Sequence, residues 1–240
     1  MISPVISSHA PARGAFILFE GVDRCGKTTQ CSLLLSHLLG LSIAASLFRF
    51  PDRTTAIGST INSYLTQSSD LDDRAIHLLF SANRWERSGH IVETLSSGSN
   101  IVCDRYAYSG VSFSAAKEIP GLDVPWCKNC DRGLPAPDVV IFLDLNPEEA
   151  EKRGGYGGER YEKRDMQMKV RKNFDKLRNE DEDSVPWHVV DASGSVEEVQ
   201  ERVRLIVTNT IEQVASGQTP LKKLWDEVDY DLMKHKDESK

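Results

Sequence analysis

The segment Gly21-Val-Asp-Arg-Cys-Gly26-Lys27-Thr28 constrains this chain more than any other, because it fits the pattern GxxxxGK[ST]. Such a loop needs a strand to deliver it and a helix to leave from it. Both are legible: the apolar run Ala15–Phe19 precedes it, and a helical pattern over Thr28–Leu39 follows. The glycines let backbone N–H groups turn inward around a polyphosphate, and the positive end of the next helix adds to that field. In this setting Lys27 reaches the β- and γ-phosphates of a nucleoside triphosphate, and the Thr28 hydroxyl ligates Mg²⁺. The bland alternative, a glycine turn with no ligand, does not account for the strand before and the helix after.

The rest of the chain repeats the same alternation. Ile101–Cys103, Val139–Leu143 and Trp187–Val190 are short apolar runs of the kind found in buried parallel strands, with Ser46–Phe50 a weaker fifth before Pro51. Asp72–Leu95 is long and amphipathic. Asn146-Pro147 followed by Glu148 and Glu149 marks a helix start. Ser195 with Glu198 forms a capping box for a helix running to about Ala215. This order predicts an α/β fold, a parallel sheet covered by helices on both faces. The length of 240 residues fits one such domain with a buried core.

Boundaries follow from composition. Residues 1–13 contain no acid and one arginine, and are expected to be a disordered tail; a transit peptide would be richer in arginine. The domain is expected over 14–216, with a charged tail over 217–240. Gly154-Gly-Tyr-Gly-Gly158 stands among Lys152, Arg153, Arg160, Lys163 and Arg164, and reads either as a surface turn or as a phosphate-covering lid over about 153–161. The acidic run Asn179–Asp183 reads as a solvated loop.

The net charge of −7 argues against nucleic acid or anionic membrane as a partner, so bound phosphate must be held by locally placed arginines. No apolar run reaches the roughly 20 residues of a membrane helix. The five cysteines, an odd number, suit reduced thiols in a cytoplasmic compartment, with the nucleus as a second such place. Cys127-Lys-Asn-Cys130 offers half of a tetrahedral zinc site and no second pair. Two loop thiols whose replacement by serine costs little stability are the expectation there.

Three further constellations bear on chemistry. Asp23 is electrostatically unfavourable beside phosphates unless it serves another ligand such as a sugar hydroxyl, while Arg24 can lean over a transferred group. Asp104-Arg105 ends a strand where doubly wound sheets place ligands, although a plain salt bridge would look the same. Phe80 and Arg84 are four apart on one helix face, so they form either a stacking platform with a base-edge donor or a core phenylalanine beside a surface arginine.

The segments FEGVDRCGKTTQ, FRFPDRTTAIG, HLLFSANRWE, DRYAYSGVSF and ERYE together resemble the successive motifs of thymidylate kinases, and VVDASGSVEEV resembles a later one. The resemblance runs from about Gly14 to Val214 and is greatest to the eukaryotic type, whose loop carries the Asp-Arg pair. It implies a P-loop NTPase fold with a five-stranded parallel sheet and a short lid, a homodimer, and transfer of the γ-phosphoryl of Mg·ATP to dTMP. It also implies roles. ATP would be held by Gly21, Val22, Asp23, Arg24, Cys25, Gly26, Lys27, Thr28 and Thr29, with Arg153 from the lid. Asp23 would accept from the deoxyribose 3′-hydroxyl, and Arg24 would bridge donor and acceptor phosphates. Phe50 would wall the substrate pocket and Arg53 would grip the dTMP phosphate. Phe80 would stack on thymine, with Arg84 donating to its O4 carbonyl. Asp104 would orient magnesium-bound water, and Arg105 would bind the acceptor phosphate. Ser109, Gly110 and Phe113 would line sugar and base, and Tyr161 would close over the nucleotide.

Catalysis would then rest on Arg24, Lys27, Asp104 and Arg105, with Mg²⁺ near Thr28 and Asp104. A phosphate acceptor is already ionised near neutral pH, so positioning and charge neutralisation suffice. The alternative, a deoxynucleoside kinase acting on a neutral hydroxyl, would need a carboxylate base where this chain gathers arginines.

Overall fold

Central strands buried on both faces dictate the architecture. In chain order the elements of the computed structural model are β1 (Phe16–Glu20), α1 (Lys27–Gly40), β2 (Ala45–Arg49), α2 (Ala56–Leu65), α3 (Asp73–Ser96) and β3 (Asn100–Asp104). There follow α4 (Ala107–Ala115), α5 (Val124–Asp131), β4 (Val139–Asp144), α6 (Pro147–Lys152), α7 (Arg164–Asp181), β5 (Trp187–Asp191) and α8 (Val196–Ala215). The structure describes residues 13–152, 158–181 and 184–226.

The five strands form one parallel sheet in the order β2-β3-β1-β4-β5. Alternate residues of β1 serve opposite faces, as the period of a strand requires. Phe16 and Leu18 join Ile91 and Leu95 of α3, Val111 of α4 and Phe174 of α7 in one layer. Ile17 and Phe19 join Leu34 and Leu38 of α1 and Val203 and Val207 of α8 in the other. Burying each of these side chains contributes about 1.5–3 kcal/mol, which is what holds helices to both faces. The strand order reverses at β1, so a crevice opens beyond its carboxyl end between β3 and β4.

The five expected strands are present within one or two residues, as are the helices opened by Asn146 and by the Ser195–Glu198 capping box. Four helices were not read: α2, α4, α5 and α7. The Cys127–Asp131 stretch is the second half of α5 and not a loop, capped by Asp123, whose carboxylate accepts from Trp126 N at 3.0 Å. Asn179 to Asp181, expected as loop, is the last turn of α7, while 182 and 183 lie outside the described residues.

The edges of the domain also differ from expectation. Arg13, assigned to the tail by composition, donates twice to the Asp138 carboxylate at 2.8 and 2.6 Å and once to Thr219 O at 3.1 Å. Beyond Gly217, Leu224 is buried; its N–H donates to Leu134 O at 2.7 Å, and its carbonyl accepts from Gly133 N at 2.9 Å. Trp225 packs edge-on against Tyr108 at 5.4 Å. Apolar side chains inside an otherwise charged run carry this segment onto the core. Most of each expected tail, residues 1–12 and 227–240, lies outside the described residues.

Candidate active site

The loop between β1 and α1 lies beyond the carboxyl end of the central strand. Gly21 has φ +144° and a Cβ there would stand 2.7 Å from Leu143 O, so only glycine lets the loop turn against β4. Gly26 has φ +99° and caps α1 without a side chain, which leaves the positive end of that helix open to an anion. Lys27 is buried, and its ammonium donates to the carbonyls of Gly21 at 3.0 Å and Val22 at 2.6 Å. Beside it the Thr28 hydroxyl donates to the Asp104 carboxylate at 2.6 Å, a contact made possible because β3 pairs with β1 in register Phe19↔Asp104.

Arg105 leaves the end of β3 at φ +69°, a conformation uncommon outside glycine. Its guanidinium forms an ion pair with Asp23, donates to Ser109 Oγ at 3.1 Å, and lies 5.3 Å over the Phe113 ring. Burial works against its charge, but the carboxylates of Asp23, Asp104 and Glu20 outweigh that and hold its pKa above the ordinary arginine value. Asp23 is clamped from the other side by Gln167, whose side chain donates to it at 2.7 Å and accepts from its N–H at 2.9 Å. The same Gln167 amide donates to Tyr161 O at 2.9 Å and so links the phosphate loop to the segment before α7.

Glu20 is fully buried at the end of β1. It accepts from the N–H groups of Tyr106 and Ser109, each at 3.0 Å, at the positive end of α4, and from the Ser109 hydroxyl at 2.5 Å. Burial pushes its carboxyl above the usual range, offset in part by the Ser109 bonds and the Arg105 charge. The Asp-Arg ending β3 is therefore not a simple salt bridge with itself: Asp104 turns to Thr28 and Arg105 to Asp23.

Two cavities meet at Asp23, Arg53 and Arg105. The larger, open one runs along Arg24, Cys25, Gly26, Lys27, Thr28 and Thr29, past Asp104 to Ser195 and Val196. The smaller is walled by the rings of Phe50, Phe80, Phe113 and Tyr161, with Ser109 and Gly110 on one side. A Cβ on Gly110 would stand 2.7 Å from Arg84 Nη2, so a larger residue there pushes the guanidinium aside. Arg84 itself is buried, and its Nε and Nη2 donate to the Asp131 carboxylate at 3.0 and 2.6 Å. The pattern of a core phenylalanine beside a surface arginine is thus excluded for the Phe80–Arg84 pair. Gly21 and Val22 take part through their backbone, behind the cavity lining.

Carboxylates of the ERYE segment pair with two of the arginines. Arg24 Nε donates to Glu162 at 2.9 Å, and Arg53 Nη2 to Glu159 at 2.8 and 3.1 Å. Arg160 turns away, donating to Tyr64 O and Ser69 O, each at 3.0 Å, with its guanidinium 4.1 Å over the Tyr64 ring. The lid expected over about 153–161 falls largely on residues 153–157, which include Arg153 and lie outside the described residues. Sequence reasoning missed Glu20, Asp131 and Gln167. An acid closing an otherwise apolar strand was the available signal for Glu20; a glutamine within a charged helix carried none for Gln167.

The comparisons with known proteins agree with this geometry. The family model for thymidylate kinase matches residues 19–203. A thymidylate kinase of Schizosaccharomyces pombe is 52% identical over 198 residues, covering 82% of this chain and 93% of that protein. A thymidylate kinase of Homo sapiens is 46% identical over 216 residues, covering 90% and 99%. A solved structure of thymidylate kinase from Candida albicans superposes with a TM-score of 0.78 at 37% identity, covering 88% of this chain and 98% of that one. A phosphate loop at the sheet's switch point, a ring-walled pocket joined to it, and relatives matched along nearly their whole length lead to one conclusion: the chain belongs to the thymidylate kinase family.

Proposed function

We propose that the chain transfers the γ-phosphoryl group of ATP to dTMP, giving ADP and dTDP. The observation that carries this reading is the junction of the two cavities at Asp23 and Arg105, which lets a donor on the phosphate loop meet an acceptor in the ring-walled pocket. An oxygen of the dTMP phosphate forms the new bond to γ-phosphorus as the bond to the ADP oxygen breaks. Little proton chemistry is needed, so the protein's part is alignment and charge neutralisation.

Lys27 and the loop N–H groups hold the β- and γ-phosphates, and Arg24 bridges donor and acceptor from φ +65°, beside the glycine that caps α1. Arg105 and Arg53 receive the acceptor phosphate. The half-exposed Arg53–Glu159 pair is of the kind worth under about 1 kcal/mol, so a phosphate displaces that carboxylate readily. The Glu162 carboxylate that meets Arg24 is 9% exposed and also accepts from Gly158 N and Glu159 N. Asp23 accepts from the sugar 3′-hydroxyl, Ser109 and Gly110 line the sugar, Phe80 and Phe113 enclose the base, and Tyr161 closes the pocket edge. Arg84 at the far end donates to O4 of thymine, where cytosine would present an amino group and leave that donor unpaired.

Thr28 and Asp104 suit a magnesium ion: a hydroxyl and a carboxylate 2.6 Å apart at the mouth of the phosphate loop are hard oxygen donors. Bound there, Mg²⁺ would neutralise charge on the donor phosphates. Among the described residues no group of three or more His, Cys, Asp or Glu could hold a metal alone, which fits an ion completed by phosphate and water. A homodimer is supported by Leu78, Trp85 and Val92, exposed large side chains seven residues apart along α3. A cytoplasmic location, extending to the nucleus, is supported by the five free thiols.

The test is ADP release with ATP alone, with thymidine, with dTMP and with dCMP. Turnover should appear with dTMP and stay at least about tenfold lower in catalytic efficiency with the others. Equal efficiency on dCMP, or preference for thymidine, would overturn the reading.

A further inference from the structure

α5 carries no residue of either cavity, yet four side chains of α3 reach its carboxyl end. His77 Nε2 lies 3.2 Å from Cys127 O, while Ser81 Oγ and Trp85 Nε1 donate to Cys130 O at 2.8 and 2.9 Å. These residues are four apart, so they form one stripe along α3, and Ser81 and Trp85 satisfy the Cys130 carbonyl that the end of the helix leaves unpaired. The fourth side chain is Arg84, next to Trp85, which meets the Asp131 carboxylate through two parallel hydrogen bonds.

That ion pair is the most enclosed among the described residues: Asp131 has no exposed side-chain surface and Arg84 has 3%. Two parallel bonds fix the plane of a guanidinium and not only its position. Asp131 takes Nε and one edge of Nη2, and the backbone of Gly110 closes against the same group. Nη1 donates to no protein group among the described residues, while Arg84 lines the ring-walled cavity. The carboxylate therefore decides which N–H bonds are left for a ligand and where they point.

We infer that Asp131 is a positioning residue for substrate specificity, holding the Arg84 guanidinium in the rotation that presents a donor to the pyrimidine O4 edge. It touches no substrate and acts through Arg84, and α5 is the brace that keeps it in place. The inference rests on Arg84 being the base-edge donor. Removing the carboxylate leaves a buried guanidinium free to rotate, so the O4 acceptor of thymine loses its fixed partner. An amino group at the same ring position loses its mismatch, and discrimination narrows.

The experiment measures steady-state kinetics of Asp131→Asn, Asp131→Glu and Arg84→Ala with dTMP and dCMP at varied ATP, and melting temperature for each. Asp131→Asn should raise KM for dTMP roughly 10–100-fold and shrink the dTMP preference over dCMP by about tenfold or more. KM for ATP should stay within about twofold and kcat within about threefold, a split that loss of stability alone would not produce. Should Asn fail to fold, Glu decides: it keeps a buried negative charge but moves the carboxylate by about one methylene, so the preference should still narrow. Wild-type KM and preference in the folded variants, or parallel rises in KM for dTMP and ATP, overturn the inference. If Arg84→Ala impairs dTMP use and the Asp131 variants do not, this inference alone fails. If Arg84→Ala leaves dTMP kinetics intact, the assignment of Arg84 to the base falls with it.

Discussion

Arg24 occupies the left-handed region at φ +65°, a conformation that costs a non-glycine residue on the order of 1 kcal/mol or more. Glycine adopts it freely, so Arg24→Gly removes the charge without disturbing the loop. If Arg24 neutralises charge passing between two phosphates, this variant should lose roughly 10²–10³-fold in kcat, with KM for ATP and dTMP changing much less. Lysine should rescue poorly, because it lacks the planar fork that meets two oxygens at once. Steady-state kinetics on both variants, with circular dichroism for folding, decide the matter. Arg160 cannot substitute, since its guanidinium is committed to Tyr64 O, Ser69 O and Asp70. Arg24 itself was legible from one position in a spaced motif. Its pairing with Glu162 was not, because the partners are 138 residues apart and only the fold brings them together.

At the scale of elements, α3 and α5 form a braced pair whose chemistry has a pH signature. Burial is the main cause that lowers the His77 pKa from 6.5 to about 4, while its two ring nitrogens meet Ser114 Oγ at 2.8 Å and Cys127 O at 3.2 Å. The folded state thus binds a proton less readily than the unfolded chain. Stability from this site is complete above about pH 6.5 and is lost as pH falls toward 4, amounting to about 2 kcal/mol between pH 7 and 5. Urea midpoints should fall over that window, and His77→Gln, which keeps one donor and one acceptor, should flatten the dependence. Cys127 is buried in the same contact, with its thiol pushed up to about 12 chiefly by burial, whereas Cys130 is half-buried. Cys127→Ser should then cost about 1–2 kcal/mol and Cys130→Ser under about 0.5, measured by thermal melts. This revises the expectation of two replaceable loop thiols. The CxxC spacing reveals nothing about which sulfur faces the core, since that depends on the helix around it.

For the whole molecule, the ends of the described chain close the sheet's flank. Arg13 bonds Asp138 and Thr219, and Leu224 inserts beside Leu134 as part of the core that includes Tyr108 and Phe142. Leu224→Ala should destabilise the protein by about 2–4 kcal/mol, as burial and cavity terms combine. A chain ending at Gly217 should lose at least as much. Chemical denaturation of both variants tests this, and a loss under about 0.5 kcal/mol would return the segment to the status of a tail.

Parallel strands, the phosphate loop and the capped helices at Asn146 and Ser195 were determined by the sequence itself, because their signals are local: apolar runs, glycines at fixed spacing, and caps next to what they cap. The ring walls Phe50, Phe80, Phe113 and Tyr161 came from motifs read in order, but their meeting in one cavity is a property of the fold. Tertiary structure alone decided the partners. Glu20 secures α4, Gln167 clamps Asp23 from α7, and Asp131 orients Arg84 from α5, across separations from 47 to 144 residues. A buried charge must find its counter-charge wherever the packed chain brings one, and that choice leaves no periodic trace along the sequence.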